Sequence, residues 1–251
     1  TEPKITRDHT EKMIEYCGGK IDVQNSSEGK IITLNKSDLS EISSYEVVGD
    51  FSSAAFIIIA ALISKKSKVL IKNVGLNTTR KGLLEVLLGM NANIKIVNQR
   101  KTCNEICGDL IVESSDLEGI EVSDSIIPNI IDEIPILSVA ASFAEGETVI
   151  KNASELKVKE SDRLKAISDG LEAMNIKHDM LEDGLIICGQ NNNVSVSKEI
   201  DSFGDHRIAM SFLVAGMRSK EGIIVKNCKN IETSFPDFLN TMNALGMKIH
   251  G

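Results

Sequence analysis

Two short stretches of this sequence place carboxylates beside cations. The first is KVKESDRLKA at 157–166, whose charged residues are Lys157, Lys159, Glu160, Asp162, Arg163 and Lys165. The second is Asp-His-Arg at 205–207. Converging lysines and arginines bind phosphate and carboxylate groups, and a carboxyl group held beside them is able to transfer a proton. A charged helix end that faces solvent is the simpler alternative for each stretch.

The position of the cations in the first stretch favours an anion clamp. Ser161 is the expected N-cap of a helix, with Asp162 in its first turn. Lys159 and Glu160 then lie in the turn before the helix, and Arg163 lies one turn into it. The main-chain dipole already makes a helix N-terminus positive, so cations gathered there are unfavourable unless an anion binds between them.

Acidic residues also begin the apolar helices of the chain. An aspartate stands at or near each of three expected helix starts, and these residues are Asp50, Asp132 and Asp205. Aspartate at such a position commonly caps free main-chain amides. Two starts carry more charge than capping requires, because Glu133 follows the second aspartate and His206 and Arg207 follow the third. We therefore expect these two helix starts to carry function as well as structure.

The elements that position these charges belong to a repeated unit. Three segments each end a β-branched run in Lys-Asn, and they are VLIKNVG (69–75), TVIKNAS (148–154) and IIVKNCK (223–229). The asparagines of these segments lie 79 and 75 residues apart. An apolar helix is expected before each segment, over 49–63, 132–144 and 204–217. An amphipathic helix and a short strand are expected after each segment, over 80–97, 161–180 and 235–251.

This repeat predicts an α/β fold. Each unit is expected to run helix, strand, helix, strand, with a further strand such as 109–114 or 184–189. Three such βαβαββ units predict a pseudo-three-fold domain with sheets around buried parallel helices. Residues 6–23 and 29–34 match the second half of a unit, which predicts that the chain is the latter part of a longer protein.

Composition argues against several other classes of protein. The chain of 251 residues has a net charge of −8, no Trp and no basic tail, which argues against a nucleic-acid partner. Its most apolar stretch, 54–63, is too short to cross a bilayer. The five cysteines are scattered, as in reduced cytosolic thiols. Cys103 and Cys107 are expected to be two small residues in or near a hairpin rather than metal ligands. We therefore predict a cytoplasmic protein with no metal site and no membrane association.

Several motifs resemble those of the 5-enolpyruvylshikimate-3-phosphate synthase family. They are KVKESDR (157–163), DHRIAM (205–210), DEIPILSVAA (132–141), TSFPDF (233–238), GDFSSAAF (49–56) and TRDHTEKM (6–13). These motifs occur in family order and cover the chain nearly end to end, and the last two look like the bacterial branch. The related UDP-N-acetylglucosamine enolpyruvyl transferases share the fold but lack the paired K-x-x-D-R and D-H-R motifs.

The resemblance implies an enzyme of the shikimate pathway, which serves chorismate and aromatic amino acid biosynthesis. Members of the family transfer the enolpyruvyl group of phosphoenolpyruvate to the 5-hydroxyl of shikimate 3-phosphate and release phosphate. They use no metal or organic cofactor, and a tetrahedral intermediate forms by addition and collapses by elimination.

The resemblance also implies an N-terminally incomplete enolpyruvyl transferase fold, an "inside-out" α/β domain. Residues 1–47 are then the tail of the first domain and 48–251 the second domain. The three repeats of the second domain fall at about 48–120, 121–195 and 196–251. The upstream half of the same enzyme is the expected partner of this chain, and the full-length enzyme is expected to be a monomer.

The resemblance implies catalytic roles for three residues. Asp132 is expected to contact the shikimate ring hydroxyls and to serve the proton on the attacking oxygen. Lys159 is expected to reach that hydroxyl and the developing intermediate. Glu160 is expected to move the proton at the phosphoenolpyruvate methylene group.

Substrate binding is implied for further residues. Arg163 and Arg207 are expected to hold the phosphoenolpyruvate carboxylate, because arginine forks suit carboxylates, and His206 is expected to line the same pocket. Arg7 is expected to reach the phosphate of shikimate 3-phosphate. Glu155 is a candidate contact that stands where other relatives have asparagine.

Two further departures from the family pattern bear on the activity of this chain. Thr233 stands where some relatives have a lysine that contacts phosphoenolpyruvate. The early Lys-Ser pair of the family, its other phosphate-binding arginines and its central Ser-Ser/Ala-Gln stretch are expected upstream of Thr1. We therefore expect this chain by itself to bind substrates weakly and to turn over little.

Two other functions stay open from the sequence. One is an enolpyruvyl transferase that uses a UDP-sugar. The other is a non-catalytic α/β repeat module that captures anions at its charged helix ends. The carboxylate of Glu160 between Lys159 and Arg163 argues against the second function, because pure anion binding does not require a carboxylate there.

Overall fold

The N-terminal segment forms a helix and a hairpin outside the main core. The computed structural model describes residues 1, 6–191 and 194–251. Helix α1 spans His9–Tyr16, and the antiparallel strands β1 and β2 span Lys20–Ser26 and Gly29–Asn35. The side chains of these three elements are exposed or half-buried. They confirm the helix, strand and return strand expected over 6–23 and 29–34.

The first repeat unit follows the expected order of elements. Its strands form one antiparallel sheet in the order β3, β5, β4. The unit consists of α2 (Phe51–Ile63), β3 (Lys68–Gly75), α3 (Gly82–Gly89), β4 (Asn93–Thr102) and β5 (Glu105–Glu113). Cys103 lies in the turn between β4 and β5, and Cys107 is buried in β5, so the expected hairpin location of this pair is confirmed.

The second unit repeats this plan and adds two short helices. Its sheet has the order β6, β8, β7, again antiparallel. The unit consists of α4 (Ile127–Ile130), α5 (Ile134–Ser142), β6 (Glu145–Ile150), a 3-10 helix (Ser154–Val158), α6 (Arg163–Ala173), β7 (His178–Met180) and β8 (Leu185–Gln190). Residues 118 and 121 form isolated parallel bridges to β6, which gives the unit a short leading strand segment.

The third unit has shorter strands than the sequence predicts. Its elements are β9 (Ile200–Asp201), α7 (His206–Ala215), a 3-10 helix (Gly216–Arg218), β10 (Val225–Lys226), a 3-10 helix (Cys228–Asn230), α8 (Ile231–Ser234) and α9 (Phe238–Ala244). The strand expected over 223–229 is reduced to two residues, which pair in parallel with β9. The strand expected after α9 is wrong, since the described residues after Ala244 form none. In the first two units the strands β5 and β8 provide the partner that a strand requires, and the described residues after α9 include no equivalent strand.

Three apolar helices form the centre of the domain. Helices α2, α5 and α7 pack against one another, as the apolar sequences predicted. All nine residues of α5 are buried, and α2 is buried nearly all round. Because the three helices are equivalent elements of their units, the side chains at their N-terminal ends are brought to one region of the domain.

The asparagine of the repeated Lys-Asn signature has a left-handed backbone conformation in each unit, at or near the end of the strand. Asn73, Asn152 and Asn227 have φ angles of 56°, 57° and 60°, a conformation that asparagine adopts more readily than most residues. An aspartate stabilises each turn. The amides of Asn73 and Asn152 donate to Asp109 and Asp183 at 2.8 and 3.0 Å, and the Asn227 side chain donates to Asp201 at 2.7 Å. The three units therefore share an asparagine at this position because the backbone there is left-handed.

Two features of the described residues concern membrane crossing and metal binding. No described helix combines the length and apolar character needed to cross a bilayer. The cysteines are free thiols, and within the described ranges no group of three or more His, Cys, Asp and Glu side chains is placed to hold a metal ion.

The spacing of α6 and α7 depends on a glycine. A Cβ atom on Gly170 of α6 would lie 2.0 Å from the ring of Phe212 in α7, closer than any atomic contact allows. We therefore expect Gly170→Ala to lower the free energy of unfolding by about 1–3 kcal/mol through overpacking. Urea denaturation followed by circular dichroism measures this change.

Gly89→Ala is the matched control, because Gly89 also lies in a helix but has its nearest neighbour, a methyl group of Ile120, at 3.5 Å. Alanine has the higher helix propensity, so this variant should stay within about 1 kcal/mol of the wild type or exceed it. Equal losses in the two variants would contradict the packing argument.

Candidate active site

The three apolar helices begin in two different ways. Asp50 caps α2 by accepting from the amides of Ser52 and Ser53, and Asp205 caps α7 in the same manner. These two predicted caps are confirmed. The cap predicted for Asp132 is wrong, because Glu133 occupies the N-cap position of α5 and makes no capping hydrogen bond. A proline in the first turn of α5 removes an amide that would need capping, and the carboxylate of Asp132 is left to contact other groups.

Asp132 is the centre of a cluster of cations. Among the described residues, five cationic side chains have a nitrogen within 4.0 Å of its carboxylate. Arg7 makes the shortest contact, followed by Arg163 at 3.3 Å, Lys159 at 3.6 Å, Arg207 at 3.9 Å and Arg80 at 4.0 Å. The Asp132 side chain is 14% exposed, so these charges meet where water screens them only in part.

The electrostatic environment keeps Asp132 ionised. Burial by itself raises the pKa of this carboxyl group, but Arg207, Lys159 and Arg7 outweigh it and lower the pKa to about 2. At neutral pH the side chain is therefore a hydrogen-bond acceptor and a counter-ion. It is suited to receive hydrogen bonds from ligand hydroxyl groups.

Arg163 lies beneath this cluster and is almost completely buried. Its side chain is 1% exposed, and all of its nitrogens contact carboxylates. The Nε atom donates to Asp205 at 2.7 Å, one terminal nitrogen to Asp132 at 3.3 Å and the other to Glu160 at 2.5 Å. A buried arginine is stable only with such pairing, so Arg163 ties the starts of α5, α6 and α7 together.

The start of α6 differs in one respect from the sequence-based expectation. The N-cap is Asp162, whose side chain accepts from the amide of Lys165 at 3.1 Å, and not Ser161. The hydroxyl of Ser161 donates instead to Asp205 at 3.2 Å. Arg163 is therefore the first residue of the helix rather than one turn into it. The shift occurs because Asp205, which is fully buried, takes the hydroxyl as an additional donor.

The remaining predicted site residues surround the same point. Lys159 bridges Asp132 and Glu155. Glu160 is 51% exposed, so its carboxylate reaches from Arg163 to the surface. His206 is half-buried, and burial followed by the charge of Arg207 lowers its pKa, which leaves the imidazole neutral at physiological pH. Its environment also includes the charge of Glu160.

A polar cavity lies beside this cluster. Its volume is about 330 Å³, and its lining includes Arg7, Asp132, Glu155 and Lys159. Thr79 and Asn129 add neutral polar groups to the lining. The cavity therefore combines hydrogen-bond donors, cations and the carboxylates of Asp132 and Glu155 in a space suited to a small, polar ligand that carries negative charge.

Three residues of this region, Arg80, Ser52 and Glu133, were not among the predicted site residues, although the charge of Glu133 beside Asp132 indicated function at this helix start. Arg80 lies in the turn before α3 and contacts Asp50, Ser52 and Asp132. Glu133 is buried beside Arg207 and receives a hydrogen bond from Ser52 at 2.5 Å. The repeat contained a signal for Arg80, since it precedes the amphipathic helix of unit one as Arg163 begins that of unit two.

Thr233, which departs from the family pattern, lies in α8. Its hydroxyl donates to the carbonyl of Asn230 at 2.8 Å, so this side chain closes the turn in which it occurs.

The lowered pKa of Asp132 predicts a pH-dependent contribution to stability. A carboxyl group with a depressed folded-state pKa stabilises the fold above its unfolded value of 3.8, and this contribution is lost as the pH falls toward about 2. We expect Asp132→Asn to lower the free energy of unfolding at pH 7 by on the order of 2 kcal/mol, with the loss shrinking below pH 4. Urea denaturation at several pH values from 3 to 7 measures it.

Glu133→Gln is the control, because its effect on the free energy of unfolding should change with pH in the opposite direction. Burial raises the pKa of Glu133 above its ordinary value of 4.5, so its ionisation destabilises the fold as the pH rises through that region. The glutamine variant should gain stability relative to the wild type as the pH rises. If the free energies of unfolding of the two variants changed with pH in the same direction, the opposite pKa shifts of Asp132 and Glu133 would be contradicted.

Comparison with known proteins agrees with the geometry of this region. The sequence profile of EPSP synthase (3-phosphoshikimate 1-carboxyvinyltransferase) matches residues 1–242. The 3-phosphoshikimate 1-carboxyvinyltransferase of Petrotoga mobilis is 46% identical over 94% of this chain and 54% of its own length. That of Magnetococcus marinus is 42% identical over 99% of this chain and 55% of its own length.

A solved structure of the same family has the same fold as this chain. The structure of EPSP synthase from Acinetobacter baumannii superposes with a TM-score of 0.92 at 39% identity, over 100% of this chain and 57% of that one. The chain therefore spans a little over half the length of the relatives that it matches. The cluster at the helix starts, the sequence match and the fold together show that this chain belongs to the EPSP synthase family.

Proposed function

We propose that this chain forms part of an enzyme that transfers the enolpyruvyl group of phosphoenolpyruvate to the 5-hydroxyl of shikimate 3-phosphate. The observation that carries the proposal is the convergence of cations on the ionised carboxylate of Asp132. The two substrates bring two phosphates and two carboxylates, so their binding requires converging cations. Family membership supports this choice of substrates.

The proposed reaction begins with an addition. The 5-hydroxyl oxygen of shikimate 3-phosphate bonds to C2 of phosphoenolpyruvate, the hydroxyl proton passes to Asp132, and C3 gains a proton from Glu160 to become a methyl group. Asp132 accepts the hydrogen bond of the ring hydroxyls, as its low pKa supports. Lys159, 3.6 Å from Asp132, lies within reach of the same hydroxyl and stabilises the negative charge that develops on it.

The proposed elimination reverses the proton movement at C3. The C2–O bond to phosphate breaks, phosphate leaves with the electron pair, and C3 loses a proton to restore the double bond. Glu160 is the proposed group that moves the proton at C3. Its exposure and its position between Lys159 and Arg163 support this role.

The pairing of Arg163 with Glu160 suggests how substrate binding prepares the acid. The carboxylate of phosphoenolpyruvate, held by Arg163 and Arg207, takes the place of Glu160 on Arg163. Glu160 is then released toward the methylene group. We place the neutral side chain of His206 beside the phosphoenolpyruvate carboxylate. Arg7 and Glu155, which line the cavity, are placed beside shikimate 3-phosphate.

The domain division is also a proposal. We infer that residues 1–47 are the tail of a first domain and that 48–251 form the second, with repeats at about 48–120, 121–195 and 196–251. The exposure of α1, β1 and β2 supports the division, as does a core cluster whose described buried members begin at Phe51. The monomeric state of the full-length enzyme and its cytoplasmic location stay predictions.

Phosphate release tests the proposed function. We expect this chain, mixed with the part of the Magnetococcus marinus relative outside the matched region, to release phosphate from phosphoenolpyruvate and shikimate 3-phosphate, and either part alone to release little. UDP-N-acetylglucosamine in place of shikimate 3-phosphate should give no activity. A folded chain that stays inactive in every mixture would favour a non-catalytic anion-binding module.

Glu160→Gln tests the acid within the same assay. Removing the ionisable proton should lower kcat at least about 100-fold while substrate binding survives, because a positioned acid or base contributes that much. Glu182→Gln, an exposed carboxylate of the same unit, is the matched control and should retain the wild-type rate. Undiminished turnover in the Glu160 variant would remove Glu160 from the mechanism.

A further inference from the structure

Glu133 is a buried charge that the proposed reaction does not use. It stands next to Asp132, but its side chain is buried and lies away from the cavity lining. Its contacts are the hydroxyl of Ser52 at 2.5 Å and a terminal nitrogen of Arg207 at 3.5 Å. Burying a carboxylate is costly, and such a group persists only where its hydrogen-bond partners are fixed.

The direction of the hydrogen bonds between these groups is determined. Arg80 contacts the Ser52 oxygen, and an arginine nitrogen is only able to donate. The hydroxyl of Ser52 has one proton, so it donates that proton to Glu133. Arg80, Ser52 and Glu133 therefore form an ordered chain of hydrogen bonds that ends with an acceptor oxygen facing Arg207.

Arg207 is held on one side by this chain and by the backbone. One terminal nitrogen donates to the carbonyl oxygen of Asp132 at 3.1 Å and lies near Glu133. The other terminal nitrogen lies 3.9 Å from the Asp132 carboxylate. The first nitrogen is thus occupied by the Asp132 carbonyl and Glu133, and the second faces the Asp132 carboxylate, which lines the cavity.

The chain of hydrogen bonds also crosses the repeat. Ser52 comes from α2, Glu133 from the start of α5 and Arg207 from the start of α7, and Arg80 comes from the turn before α3. These residues connect the N-terminal ends of all three central helices. A shift of any one helix would therefore change the position of Arg207.

We propose that Arg80, Ser52 and Glu133 act as positioning residues that fix the guanidinium of Arg207 for the phosphoenolpyruvate carboxylate. The role in binding rests on the proposed function, whereas the positioning itself is a property of this chain. An arginine that is fixed before the ligand arrives loses less freedom on binding. Disrupting the chain of hydrogen bonds is expected to weaken phosphoenolpyruvate binding more than turnover.

The first test measures positioning without reference to activity. Hydrogen exchange of the Arg207 side chain is followed by NMR in the 251-residue chain, with Arg207→Lys to assign the signals. We expect Glu133→Gln and Ser52→Ala each to speed this exchange about tenfold, and Glu121→Gln, an exposed carboxylate, to leave it unchanged. Unchanged exchange in the two variants, with the fold intact by circular dichroism, would overturn the proposal.

The second test uses the reconstituted enzyme. Glu133→Gln should raise KM for phosphoenolpyruvate about tenfold, with kcat within about threefold of the wild type and KM for shikimate 3-phosphate unchanged. Arg80→Met should act in the same direction, and Arg80→Lys, which keeps a donor, should restore part of the loss. Equal effects on both substrates would overturn the link to phosphoenolpyruvate. An inactive wild-type mixture would count against the proposed function, and the NMR experiment would still decide the positioning.

Discussion

The structure of this region depends on one carboxylate that keeps several cations together. Two unit charges 4 Å apart interact by about 4 kcal/mol at the effective dielectric constant near a protein surface. The guanidinium and ammonium groups around Asp132 would therefore repel one another strongly if no anion stood between them. Asp132 supplies that anion. Asp205 and Glu160 supply further negative charge, and both of them contact Arg163. The site is thus assembled around negative charge before any ligand arrives.

The pseudo-three-fold repeat explains why these charges meet. Equivalent helices of the three units pack together, so their starts lie in one region, where the main-chain dipoles add positive potential. Two starts are closed by the caps Asp50 and Asp205. The start of α5 is not closed in this way, and the aspartate that precedes it is free to face the cations. The departure of one unit from the repeat therefore creates the chemical site, while the agreement among units creates the scaffold.

The sequence predicted those features that depend on local pattern. Apolar periodicity predicted α2, α5 and α7, and the Lys-Asn signature predicted the strands that end in a left-handed turn. Features that depend on distant partners were missed. Ser161 was not the N-cap because it bonds to Asp205, which is distant in sequence. The last expected strand has no partner strand among the described residues after Ala244. Arg80 was missed because its importance arises from contacts with Asp132 of the second unit and with Ser52 of its own unit, which periodicity does not reveal.

The pairing of every cation with a carboxylate bears on ligand selection under the proposed function. A ligand gains little from Arg163 unless it replaces Glu160, since the guanidinium already has three partners. Replacement is favourable for a group that matches the fork of the guanidinium, as a carboxylate does, and that brings a second anionic group to the neighbouring cations. Free phosphate meets the second requirement less well than phosphoenolpyruvate, which carries both groups on one small molecule. The carboxylates between the cations therefore make binding more selective for the charge and shape of the ligand. Glu160 is released from Arg163 only when a ligand with the matching charge and shape binds.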